Sequence, residues 1–273
     1  MSRPFFFHSA IFVAFLTAFA VSCSDSSGPE ERSWDLVWQD EFDGPAGQSP
    51  DSTRWGYDIG TDWGNAQLEF DTDRPENVSL DGQGRLAIIA REEAYQGRNY
   101  TSARITTEGK FEQTYGRFEA RIQLPWGQGI WPAFWLLGNN FPTVGWPECG
   151  EIDIMEYRGQ EPSTVHGTIH GPGYSAGQGI TRRYDMSGGR FDTGFYVFAV
   201  EWGPDYIDWY VDDTRYHSLT PEDLDGDRWV FDHPFYIILN VAVGGTYVGP
   251  PNASTTFPQT MLIDWVRVYR EAQ

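Results

Sequence analysis

The stretch Glu151-Ile-Asp-Ile-Met-Glu-Tyr157 constrains the fold more than any other. From Glu151 to Ile154, acid and apolar residues alternate. That is the period of a strand whose Ile152 and Ile154 face a core while Glu151 and Asp153 face a cleft or solvent. Glu156 breaks the alternation, because Met155 stands where a period of two would place the third acid. One extra residue near Ile154-Met155, a β-bulge, would return Glu156 to the side of Glu151 and Asp153. A solvated acidic face gives the same pattern, so the rest of the chain must decide between a surface and a site.

The chain has 273 residues, 40% of them hydrophobic and 16% aromatic, enough for one large domain with a substantial core. Its formal net charge of −20 argues against nucleic acid, an anionic membrane surface or a polyanionic substrate, and leaves a neutral polymer open. Residues 1–22 read as a secretory signal peptide, with Arg3 ahead of an apolar run from Phe5 to Val21. Ala20-Val-Ser-Cys23 also resembles a bacterial lipoprotein box, which would make Cys23 a lipidated N-terminus. The expected location is therefore secreted, or lipid-anchored at the bacterial cell surface or in the periplasm, with no other membrane contact. Residues 23–33 form a Ser- and acid-rich tether, and residues 34–273 the domain proper. Cys149 is the only cysteine besides Cys23, so packing without a disulfide must hold the domain.

Beyond the tether the signal is β throughout. Arg85–Arg91, Gly116–Leu124, Phe195–Trp202, Tyr206–Val211, Phe235–Val243 and Met261–Tyr269 read as strands, and Gly203-Pro-Asp205 as a hairpin turn. With turn clusters between them and no long helix, the expectation is all-β, an antiparallel sandwich or barrel.

Among the 12 tryptophans, Trp209 and Trp265 lie inside apolar strands and are expected in the core. Trp126, Trp131 and Trp135 cluster in Leu124–Gly138, and Trp131 and Trp135 share strand parity. Flat rings of that kind suit the apolar C–H faces of sugars. His166, Thr168 and His170 share a strand face. A zinc pair at that spacing is unfavourable, since i and i+4 lie ~13 Å apart on a strand. Hydrogen bonding to sugar hydroxyls or to a carboxylate suits them better. Cys149 has no activating partner and reads as a buried thiol. With the bulge counted, Glu151 and Glu156 also stand as i and i+4, ~13 Å apart at Cα. Inward-leaning side chains close that to roughly 5–6 Å, the spacing of a retaining rather than an inverting carboxylate pair.

These residues together resemble glycoside hydrolase family 16, and within it the laminarinases, from Leu36 to Tyr269. The likeness is carried by Trp38-Gln-Asp-Glu-Phe-Asp-Gly44, Gly64-Asn-Ala-Gln-Leu-Glu-Phe70, Gly129-Ile-Trp-Pro-Ala-Phe-Trp-Leu-Leu137, Gly150-Glu-Ile-Asp-Ile-Met-Glu-Tyr157, His166-Gly-Thr-Ile-His170 and Ile263-Asp-Trp-Val-Arg-Val-Tyr269. The resemblance implies a β-jelly roll of two curved antiparallel sheets with a cleft across the concave face. It implies Glu151 as nucleophile, Glu156 as general acid/base and Asp153 as the acid that holds and tunes the nucleophile. Asn65, Arg104, Trp131, Trp135 and His170 match sugar-binding positions. The family's Gly-Asn-Asn-Glu-Leu-Gln run departs here to Gly64-Asn-Ala-Gln-Leu-Glu69, on the non-reducing side of the cleft. No cofactor is implied for catalysis. A structural calcium is implied at Glu41, the Gly84 carbonyl and Asp264, in keeping with oxygen ligands.

The expected activity is a monomeric retaining endo-β-1,3-glucanase acting on laminarin-like glucans, with β-1,3-1,4 glucans as further substrates. The alternatives are a galactan hydrolase of the same family and a non-catalytic carbohydrate-binding sandwich. The last would lack Glu151 or Glu156, and both are present.

Overall fold

Seventeen strands, one four-residue α-helix and two short 3-10 helices account for the regular structure of the computed structural model, which describes residue 1 and residues 32–272. The expected signal peptide, Cys23 and nearly all of the tether lie outside the described residues, and Ser33–Gln273 clusters as one unit. In chain order the strands are β1 (Trp34–Asp40), β2 (Gly56–Tyr57), β3 (Glu69–Asp71), β4 (Val78–Leu80), β5 (Leu86–Tyr95) and β6 (Arg98–Ser102). They continue with β7 (Arg104–Thr106), β8 (Gly116–Gln123), β9 (Ile130–Gly138), β10 (Glu151–Tyr157), β11 (Thr164–His170) and β12 (Ile180–Asp185). The last five are β13 (Tyr196–Gly203), β14 (Tyr206–Val211), β15 (Thr214–Leu219), β16 (Phe235–Val243) and β17 (Gln259–Glu271). Helix α1 (Phe141–Val144) lies between β9 and β10.

The strands form two sheets of a β-jelly roll. A ten-stranded sheet runs β15-β14-β13-β8-β17-β5-β6-β3, with β1 paired to β17 and β4 to β5. A seven-stranded sheet runs β12-β11-β10-β9-β16-β7-β2. All pairs are antiparallel except β3 with β6. The expected strands are all present, and β13 turns into β14 through the Gly203–Tyr206 hairpin pair.

The core lies between the sheets. Trp202, Trp209, Phe118, Phe134 and Phe198 are fully buried there with the aliphatic residues of both inner faces. β16 is buried along its whole length, because it sits between β9 and β7, and its sequence is accordingly an almost continuous apolar run. Trp209 is in the core as expected. Trp265 is not: it is half-buried, with the Arg267 guanidinium 4.1 Å from its ring centroid. A bulge in β17 between Ile263 and Trp265 shifts its register against β8, so the alternation read from the sequence does not carry through to Trp265.

Candidate active site

β10 enters the sheet from Gly150. Its φ of +72° is a left-handed conformation that glycine adopts freely, and a Cβ there would come within 2.9 Å of Phe235. The strand then pairs Glu151 with His170 and Asp153 with Thr168 on β11, and Asp153 with Trp135 on β9. Beyond Asp153 the register slips by one residue on both sides, so that Glu156 faces His166 and Ala133. This is the bulge expected at Ile154-Met155. It buries Ile154 and Met155 and brings Glu156 to the face that carries Glu151 and Asp153.

Each of the two glutamates holds an indole donor. Trp146 Nε1 donates to Glu151 Oε2 at 2.8 Å, and Trp131 Nε1 to Glu156 Oε1 at 3.1 Å. His170 Nε2 lies 3.3 Å from Asp153 Oδ2 and 3.9 Å from Glu151 Oε1. Asp153 is buried, and its strand is tied to the opposite sheet by Trp209 Nε1 donating to the Asp153 carbonyl at 2.8 Å.

Burial sets the protonation of the cluster. It pushes the Glu151 carboxyl up to about 8, with the Asp153 charge adding to the effect and His170 opposing it. Burial likewise pushes Glu156 up to about 7, with help from the charge of Glu151. Asp153 is raised well above the usual carboxylate range by burial and by Glu156. Three carboxyls so close cannot all ionise near neutrality. Glu151 and Asp153 share a hydrogen bond, and their one proton belongs to the pair. Their mutual hydrogen bond raises Glu151 and lowers Asp153, whereas the Trp146 N–H lowers Glu151 and steadies a charge there; we place the proton on Asp153 on the strength of that donor. The buried Asp153 Oδ2 has no aligned donor among the described residues. Glu151 is then the ionised carboxylate and Glu156 a protonated acid below about pH 7.

Cross-strand register lays out the rest of the cleft. Arg104 pairs with Asn240, Asn240 with Ala133, Ala133 with Glu156, Glu156 with His166, and His166 with Arg183. Residues directly opposite in antiparallel strands share a face. These six therefore cross the sheet as one row from β7 to β12, with Glu156 inside it. Near the β7 end, the Arg104 guanidinium lies 4.8 Å from the Trp135 ring and 5.1 Å from the Trp63 ring, and pairs with Asp58 at 2.8 Å. Trp135 Nε1 donates to Asn240 Oδ1 at 2.8 Å. Asn65 stands exposed before β3, its carbonyl accepting from Thr246 N at 2.7 Å. Trp131 packs on Tyr247, with centroids 4.9 Å apart, and the Tyr247 hydroxyl lies 3.0 Å from His166 Nδ1.

The structure thus gathers Trp131, Trp135, Arg104 and His170 around the acids, and leaves Asn65 on the neighbouring loop. Sequence reading missed three residues: Trp146, Trp63 and Tyr247. Trp146 is 40% exposed, and its signal was a lone aromatic in a Pro- and Gly-flanked loop five residues before Glu151. Trp63 adjoins Gly64 and Tyr247 lies two residues after Gly245, both glycines at positive φ. Trp126, the third member of the aromatic cluster, faces Arg190 at 5.4 Å instead of the acids.

Donor atoms of Glu151, Asp153 and His170 come within 4.8 Å of one another, close enough to hold a cation. The shared proton and the Trp146 N–H suit acid–base chemistry at the same atoms. At the expected calcium position, Arg267 Nε and Nη2 donate to both Glu41 oxygens at 2.8 and 3.0 Å. Asp264 Oδ2 accepts from Arg121 at 2.5 Å. A dication there would have to displace two guanidiniums.

Residues 58–267 match the profile described as "Glycosyl hydrolases family 16". The "Beta-glucanase" of Rhodothermus marinus is 43% identical over 270 residues, which cover 94% of this chain and 93% of the relative. The solved laminarinase catalytic domain of Thermotoga maritima superposes with a TM-score of 0.83 at 49% identity, covering 88% of this chain and 99% of that one. The endo-β-1,3-glucanase of Pyrococcus furiosus superposes with a TM-score of 0.84 at 47% identity, covering 89% and 96%. A bulged acid strand on the cleft face of a jelly roll, in a chain matched along this length, makes the protein a member of glycosyl hydrolase family 16.

Proposed function

We propose that this chain is a retaining endo-1,3-β-glucanase that cleaves laminarin-like glucans, and mixed β-1,3-1,4 glucans as further substrates. The observation that carries the reading is the bulge, which sets Glu151 and Glu156 on one face with a separate indole donor on each. Relatives named as glucan endo-1,3-β-glucosidases and laminarinases support the glucan as substrate. The match covers 35% and 40% of two longer relatives, so the reading concerns this domain's chemistry alone.

In the first step Glu151 attacks the anomeric carbon, and Glu156 gives its proton to the departing glycosidic oxygen. A C–O bond to the enzyme forms as the glycosidic bond breaks. Glu156, now ionised, takes a proton from water, and the resulting hydroxide displaces Glu151 from the same carbon. Two inversions return the starting configuration. Asp153 keeps the shared proton and donates to Glu151, which holds the nucleophile in place without competing for charge. His170, beside both acids, fixes that edge of the cluster. Trp135, half-buried, offers a ring face to the sugars, whereas Trp131 is buried against Tyr247 and acts through its N–H on Glu156. Arg104 and Asn65 offer polar contacts on the non-reducing side.

Reducing-sugar release from laminarin, lichenan, agarose and carboxymethyl cellulose tests the assignment. Laminarin is expected to be cleaved fastest and agarose not at all, and the reverse order would move the chain to the galactan hydrolases. The protein acts on its polymer as a monomer, exported and held through Cys23. Cys23→Ala is expected to move it from the membrane fraction to the soluble one, and a native protein already soluble with an unmodified N-terminus contradicts the anchor. A structural calcium at Glu41, Gly84 and Asp264 would cost two arginine pairs. Chelation is therefore expected to leave the melting temperature unchanged; a clear fall that Asp264→Ala abolishes would assign a cation to that position.

A further inference from the structure

On the glucanase reading, Trp63, Arg104 and Trp135 face the non-reducing side, and the leaving side lies across Glu156 from them. The row through Glu156 continues in that direction onto His166 of β11 and then Arg183 of β12, the edge strand of the sheet. Strands lie ~4.8 Å apart, so Arg183 stands two strands, roughly 10 Å, beyond the acid that protonates the leaving oxygen. A polymer crossing the strands would put its first leaving ring over His166 and its second over Arg183.

Arg183 belongs to this face. Register sets it opposite His166, and its charge is among those acting on the His166 ring. It is 68% exposed, and its Nε is held 2.9 Å from Asp185 Oδ2. Thr164 Oγ1 in turn donates to Asp185 Oδ1 at 2.8 Å, so the acid that orients the guanidinium is itself fixed. Beside it, the Thr168 hydroxyl donates to that of Thr181 at 3.0 Å and carries the polar face onto β12. An ion pair this exposed contributes little to folding. A guanidinium offers five donors and no acceptor, which suits the hydroxyl oxygens of a neutral sugar.

We propose that Arg183 binds the second sugar on the leaving side of the scissile bond and thereby sets where along a glucan the chain is cut. The site takes a neutral β-linked glucosyl ring, and it rests on the glucanase reading. It makes cleavage favour positions that leave at least two sugars on the reducing side.

The test uses reducing-end-labelled laminarihexaose, with an aryl β-glycoside of laminaribiose as the comparison. The full-length wild type is expected to release label mainly in fragments of two or more sugars. Arg183→Ala is expected to lower kcat/KM on the hexaose about tenfold, the loss of one charge-assisted hydrogen bond, and to lower it less on the aryl glycoside. The share of label in free glucose rises several-fold. Arg183→Met, which keeps an unbranched side chain without the guanidinium donors, must shift the label the same way, so a folding failure of the alanine variant does not decide the matter. An unchanged label distribution in an active, folded variant overturns the inference and leaves the glucanase reading intact. A wild type that cuts neither substrate overturns both.

Discussion

Burial binds protons tightly to close carboxyls in two regions of this molecule, and the surroundings of the two differ. Glu151, Asp153 and Glu156 lie on β10, and Glu69 and Asp71 lie on β3. Burial pushes Glu69 up to about 7 and raises Asp71 well above its ordinary range, much as it does at the cleft. By protonation alone the two clusters could be confused. Glu69 and Asp71 are 1% and 2% exposed, and each is occupied by a structural contact. Glu69 Oε2 accepts from Val243 N at 2.7 Å, and Asp71 Oδ2 from Trp63 Nε1 at 2.8 Å. They tie the end of β16 and the Trp63 loop to β3. Glu151 and Glu156 on β10 keep partial exposure, with an indole donor on each and a histidine at hand. A displaced pKa marks strain in solvation, and access decides whether that strain serves a reaction.

The largest effect that separates the regions is expected from alanine at one acid of each. Glu151→Ala should lower kcat by more than about 10⁴-fold, as loss of a nucleophile does, with no fall in melting temperature. Glu69→Ala should leave Val243 N unpaired, cost ~1–3 kcal/mol of stability, and keep most activity in the molecules that stay folded. Parallel kinetics and melting curves check both, and a reversal of the two results would exchange the roles assigned here.

Glu156→Ala comes next, with a loss of about 10²–10⁴-fold on glucan, the usual contribution of a general acid. A substrate whose leaving group needs no proton should still load the enzyme, and added azide should then yield the β-azide. The α-azide from this variant would make Glu156 the nucleophile.

Trp131→Phe keeps the ring and removes the N–H that stabilises ionised Glu156, so the Glu156 pKa should rise above about 7. The alkaline limb of the kcat/KM profile should move to higher pH, with kcat down about tenfold for the loss of one hydrogen bond to a charged group. A limb that stays in place would show that Glu156 does not govern it.

The smallest effect is on stability against pH. Glu69 binds its proton more tightly in the folded state, so its contribution is complete below about 4.5 and is lost as pH rises through about 7. The melting temperature should therefore fall between these values, and Glu69→Gln should flatten part of that slope without moving the pH–rate profile. A slope unaffected by the substitution would assign it to the other raised carboxyls, Asp71 and the β10 acids among them.

Much of this was legible in the sequence because it rests on local pattern. Alternation gave the strands, and one surplus residue at Met155 gave the bulge, since a period of two cannot otherwise put Glu156 beside Glu151. The cross-sheet partners were less legible. That Trp146 serves Glu151 while Trp131 serves Glu156 depends on how α1 and its loop fold back and on which residue of β9 faces which acid. The sealed pair on β3 was hidden for the same reason: nothing local in Glu69-Phe-Asp71 shows that Val243 N and Trp63 Nε1 donate to it. Trp265 shows the converse failure, where a bulge in β17 undid an alternation that looked secure.

The central claim is double displacement by Glu151 and Glu156 across one bulged strand. Proton NMR of the first product released from a β-1,3-glucan by the wild-type enzyme tests it most directly, before mutarotation mixes the anomers. The β-anomer should appear first and the α-anomer only later, at the rate of spontaneous mutarotation. An α-anomer as the first product would mean a single inversion by activated water and would contradict the account.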